Sequence, residues 1–188
     1  MNSVFKKFGL LIFMGILSLL ILLFFVFRPK KFDDSSISIN YLNGSQELVV
    51  SNSLPMTDVV GKSISLNNYK LGTTGYLEFE IKSNVEDRIK YEIYLTKLER
   101  QIEVPVKFVK VYLTDENNNP LEYFEESKIP TYYDLRLSDS DPSGKLIYSG
   151  YLKKNSSKKF VLRMWVADTY ELTPEEIRFE AKLNVKIK

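Results

Sequence analysis

At 188 residues, 44% of them hydrophobic and 27% charged, the chain has room for a membrane segment and one folded domain. Its formal charge of +2 sums two unlike parts: Lys6, Lys7, Arg28, Lys30 and Lys31 flank an apolar run, and the remainder carries 21 basic against 24 acidic residues, a poor balance for binding nucleic acid. With no cysteine and no histidine, disulfides, thiolate metal sites and the Ser-His-Asp arrangement are excluded.

In chain order, a short tail (1–7) leads into residues 8–27, twenty uncharged positions interrupted only by Gly9, Gly15 and Ser18. At 1.5 Å per residue such a helix is about 30 Å long, the thickness of a bilayer's hydrocarbon core. The run exceeds a signal-peptide core and no small-x-small site follows it, so it reads as a retained single-pass anchor whose partner is the lipid bilayer. Pro29 ends the helix, and residues 28–36 form a basic juxtamembrane spacer. Lys6 and Lys7 nearly balance the cations on the other side, so charge alone leaves the orientation open. The expected location is the cell membrane, with the domain on the extracytoplasmic side.

From residue 37 to 188, alternation of period two dominates. Leu77, Phe79 and Ile81 alternate with Glu78, Glu80 and Lys82; Ile89, Tyr91, Ile93 and Leu95 do the same, as do Phe179, Ala181, Leu183, Val185 and Ile187. Shorter strands are predicted at 37–42, 47–51, 62–66, 107–114 and 145–149. Residues 158–167 are apolar on both faces and read as a central strand covered on both sides. Asn43-Gly44, the 115–120 stretch and the 139–144 stretch supply turns, and Thr173-Pro174-Glu175-Glu176 a single helical turn. The fold class is therefore all-β, an antiparallel sandwich or jelly roll, preceded by one transmembrane α-helix.

Candidate sites are few. Asp139-x-Asp141-x-Ser143-Gly144 matches the first half of a calcium loop, but Gly150 stands where a bidentate glutamate is needed, so a tight turn is favoured over a weak calcium site. Arg163 and Trp165 share one face of the central strand. They form either an interaction patch or a packed closure beneath the 168–177 loop. Tyr148 and Tyr151 are further interaction candidates, as part of a carbohydrate-stacking surface, although packing at half-buried strand sites is favoured for most of the tyrosines. The remaining carboxylates sit in loops with no apolar pocket implied, so no catalytic residue, cofactor or metal is assigned and the chain reads as non-enzymatic.

Several stretches taken in order are similar to the camelysin/TasA-like surface proteins of Gram-positive bacteria. They are Leu54-Pro55-Met56-Thr57-Asp58 before a strand, Tyr76–Ile81, Ile89–Leu95, Val109–Thr114 with its hairpin, Ile147-Tyr148-Ser149-Gly150, Phe160–Val166 with its Leu-Arg-Met-Trp core, and Phe179–Val185. The resemblance covers residues 54 to 188 and implies an extracytoplasmic jelly roll in a group that includes fibre-forming matrix proteins. Two departures matter: matrix members are released by cleavage whereas this anchor reads as retained, and protease activity does not carry over to a chain without histidine. The expected role is a membrane-anchored structural or interaction module working through an unknown protein partner or self-association. The alternative is an ectodomain that binds glycan or calcium.

Overall fold

A computed structural model describes residues 13–23, 36–43, 46–51, 54–67, 75–99, 103–124, 128–171 and 178–188. The chain divides into two compact units, Met1–Phe32 and Asp33–Lys188. In the first, helix α1 (residues 13–23) exposes its apolar side chains, and the Ser18 hydroxyl donates to the Gly15 carbonyl at 3.0 Å. Among the described residues no helix is long and apolar enough to cross a membrane. Residues 8–12 and 24–27 of the expected span lie outside the described residues, as does the helical turn expected at 173–176.

The second unit is a β-sandwich. Strands β1 (Ile37–Tyr41), β2 (Glu47–Ser51), β3 (Gly75–Ser83), β4 (Ile89–Lys97), β5 (Val109–Asp115), β6 (Gly144–Leu152), β7 (Ser157–Val166) and β8 (Arg178–Ile187) form two antiparallel four-stranded sheets. The first sheet runs β1-β3-β7-β5 and the second β2-β8-β4-β6. Each of these strands is followed by one of the other sheet, so no two consecutive strands pair. The tight turns legible in the sequence are arches between sheets. Two turns among the described residues also fold back on their own strands, 115–120 through a bridge between Thr114 and Pro120 and 139–144 through one between Leu137 and Lys145.

Alternation sets which face is buried. Leu77, Phe79 and Ile81 on β3, Ile89, Tyr91, Ile93 and Leu95 on β4, and Phe179, Ala181 and Leu183 on β8 are buried between the sheets. Each large apolar side chain so placed contributes about 1.5–3 kcal/mol relative to leaving it in water. Phe79 and Phe160 stack at 5.2 Å between ring centroids, and Tyr132 meets Phe179 edge-on at 5.2 Å. Burial pushes the Tyr132 phenol up to about 12, and its hydroxyl donates to the Leu95 carbonyl at 3.1 Å.

β7 is central, between β3 and β5, and every residue from Phe160 to Val166 is buried, as its two apolar faces predicted. The expected strand over 62–66 is absent. Its first residue instead ends a short helix, α2 (Asp58–Lys62), which starts where the Thr57 hydroxyl accepts the Val60 N–H at 3.5 Å. That N-cap and the packing of Gly61 override the β preference of Val59-Val60. The segment Leu54–Asp58 accordingly leads into a helix rather than a strand.

Candidate interaction surface

Antiparallel register places Arg163 of β7 between Tyr76 of β3 and Tyr112 of β5, and Trp165 beside Lys110. All five face away from the other sheet, where a two-layer sandwich would leave them wet. A third layer covers them. Met56 bridges to Ala167 in parallel, with Met56 N–H donating to the Val166 carbonyl at 2.9 Å, and this leads the chain across the sheet into α2. Gly61 lies flat on the indole; a Cβ there would come within 2.1 Å of Trp165 Cε2, so no larger residue fits without lifting the helix.

Beneath this cover each nitrogen of the Arg163 guanidinium has a hydrogen-bond partner. Its Nε donates to the Ile64 carbonyl at 2.8 Å, Nη1 to Thr114 Oγ1 at 3.2 Å and Nη2 to Asn118 Oδ1 at 2.6 Å. Burial lowers its pKa from the ordinary arginine value, against the favourable fields of Tyr76, Tyr112 and Glu78. Lys110, also buried, donates to the Ile129 carbonyl at 2.8 Å and lies 3.6 Å from Asp58 of α2. Arg163 (6% exposed) and Trp165 (0%) therefore offer no external surface, which corrects the interaction-patch reading. Residues 54–64 close over them; positions 172–177 of the 168–177 loop lie outside the described residues.

The two tyrosines part company as well. Tyr148 points between the sheets, 5.6 Å from Phe160 and 6.0 Å from Tyr91, and its hydroxyl accepts from Lys158 Nζ at 3.0 Å. Tyr151, three positions on, faces outward from the second sheet, 53% exposed, with the Arg88 guanidinium 4.1 Å over its ring. The four interaction candidates thus occupy three different layers, and only Tyr151 presents an open surface.

The proposed calcium loop folds as a turn. Asp141 Oδ1 accepts the Ser143 N–H at 2.9 Å and its hydroxyl at 2.7 Å, while Asp139 pairs with Lys188. The neighbouring serines close over a buried carboxylate instead: Ser138 and Ser140 donate to Glu92 Oε2 at 3.1 and 2.7 Å, and Lys188 Nζ to Oε1 at 2.7 Å. Burial pushes Glu92 up, and the bonds from Lys188, Ser140 and Ser138 more than offset it, leaving the carboxyl below its ordinary value. Among the described residues no group of three or more acidic, histidine or cysteine side chains is placed to hold a metal. Asp115, another loop carboxylate, accepts from Asn117 N–H at 2.8 Å and from Asn119 N–H at 2.9 Å, which shapes its turn.

Sequence reasoning missed one surface. Leu54 (70% exposed), Val59 (82%) and Val60 (50%) project from the cover of the first sheet, three large aliphatics within seven residues. The Thr57-Asp58 cap was the available signal. Reading helix from it would have turned Val59 and Val60 away from the face that Gly61 buries. Neither a protein-family model nor a characterised protein matches the chain.

Proposed function

We propose that the chain is a membrane-anchored extracytoplasmic structural or interaction module that works through protein–protein contacts of its β domain. The aliphatic surface formed by Leu54, Val59 and Val60 carries this reading. Single exposed aliphatics are ordinary, but several on one short, firmly seated segment mark a contact surface. Three further features support it. Residues 8–27 have the length and composition of a bilayer span. The strict alternation of eight strands between two sheets suits a jelly-roll variant, in keeping with the likeness to camelysin/TasA-like surface proteins. The buried Arg163 and Glu92 are spent on holding covers in place, which fits a rigid, non-catalytic block.

A photo-crosslinking residue at Val59 in the full chain tests the contact. Protein adducts at Val59, lost when Leu54 and Val60 are changed to serine and absent from the same probe at Lys159, are expected. Equal adducts at both positions would remove the surface from the proposal. Protease added to wall-stripped cells should digest the domain; its full protection would put the domain on the wrong side of the membrane.

A further inference from the structure

The outward face of the second sheet holds a group of cations that, among the described residues, form no ion pair, in a domain whose acids outnumber its bases. Register puts Tyr151 of β6 directly across from Lys90 of β4, and Ser149 and Lys186 on either side of Glu92 one rung along. Arg88, just before β4, lies over the Tyr151 ring. Among the described residues Arg88, Lys90 and Lys186 make no ion pair. The acids on this face are already engaged. Glu92 is buried and, with Asp139, taken up by Lys188, while Asp141 is held by Ser143; Lys90 and Lys186 act on Asp139 and Asp141 only through their longer-range fields.

We infer that Tyr151, Arg88, Lys90 and Lys186 form a binding face for an anionic polysaccharide, one whose sugars carry carboxylate or phosphate groups. Adjacent strands are about 4.8 Å apart, so the aromatic and its cations recur at a sugar-sized spacing across β6, β4 and β8. A guanidinium stacked on a tyrosine keeps its donor edge free for bidentate contact with an oxyanion, and the paired planes make a platform for a pyranose ring. Lys90 and Lys186 add point charges to either side. Salt-sensitive binding follows, because each cation engaged releases a counterion from the polymer. A sheet face is flat, which suits an extended polymer better than a small molecule that needs a concave pocket. This face belongs to the second sheet and the Leu54–Val60 surface to the cover of the first, so the two contacts are separable by mutation.

The test uses the full chain in mild detergent, with an oligogalacturonate as probe, neutral dextran as control and phosphatidylglycerol vesicles as the competing anionic source. Binding to oligogalacturonate is expected to weaken about tenfold in Arg88→Ser/Lys90→Ser and several-fold in Tyr151→Ser, and to fall steeply with salt. Lys159→Ser should leave it unchanged. All four positions are solvent-exposed or half-exposed, so circular dichroism and melting should match the parent. No binding to the oligogalacturonate, binding that Lys159→Ser weakens as much as Arg88→Ser/Lys90→Ser, equal binding to dextran, or binding to the vesicles alone would each overturn the proposal.

Discussion

Each sheet is covered over part of its outer face, but by opposite electrostatic devices. Over the first sheet, residues 54–66 seat on a buried cation, Arg163, satisfied by a carbonyl, a hydroxyl and an amide oxygen, all neutral. Over the second, the 138–140 loop seats on a buried anion, Glu92, held by two hydroxyls and the Lys188 ammonium. A guanidinium stays charged at any pH the protein meets, so the first cover is indifferent to acid. A carboxylate does not, so the second is tied to pH.

The largest effect is expected from Arg163→Ala, which strands two buried acceptors, the Ile64 carbonyl and Thr114 Oγ1, and opens a cavity under α2. A loss of about 3–5 kcal/mol, read by chemical denaturation, should vary little between pH 4 and pH 7. A loss under about 1 kcal/mol would show that the cover does not depend on the guanidinium. Next comes Gly61→Ala, in which the new methyl collides with the Trp165 ring; a loss of about 2–3 kcal/mol is expected. Proteolytic cutting within 54–66 should rise ahead of global unfolding, and Trp165→Ala should partly relieve the clash.

Smaller and pH-dependent is Glu92→Gln, with a loss of about 1–2 kcal/mol at neutral pH. The sign is fixed by linkage. The folded-state pKa of Glu92 lies below its unfolded value, so its stabilisation is fully present above the ordinary glutamate range and disappears as pH falls through the folded value. The stability difference between parent and Glu92→Gln should therefore shrink on acidification below about pH 4.5. A difference constant down to pH 3 would mean that Glu92 is not ionised in the native state. The smallest effect is expected for Lys188→Met, a slight fall in melting temperature, because Ser138 and Ser140 still hold the carboxylate.

The two-layer core was legible because a half-wet strand writes its inner face into every second residue. Leu77-Phe79-Ile81 and Phe179-Ala181-Leu183 are buried as that pattern requires. The third layer was not legible, because the same pattern assigns Glu92 and Lys110 to solvent, and only a distant segment decides otherwise. The doubly apolar β7 gave the one hint that something lay above it. What covered it depended on Gly61 meeting Trp165 across a hundred residues, a contact that local periodicity cannot carry. The candidate site fared accordingly: Tyr151 is open, Arg163 and Trp165 are sealed, and the Leu54–Val60 surface depended on recognising a helix of only five residues.

The strand order also has a consequence for how the domain is made. β7 joins β3 to β5, and β8 joins β2 to β4, so both bridging strands lie in the final stretch from Ser157 to Ile187. A chain emerging from a ribosome or a translocon up to Ser156 can form only two separate ribbons, β1 with β3 and β4 with β6. Neither sheet can close until almost the whole sequence has appeared, and the pairings that then form are distant in sequence, which makes folding slow. The nascent domain thus spends its synthesis unfolded: a suitable cargo for threading through a narrow channel, and a ready substrate for quality-control proteases whenever translation stops short of β7.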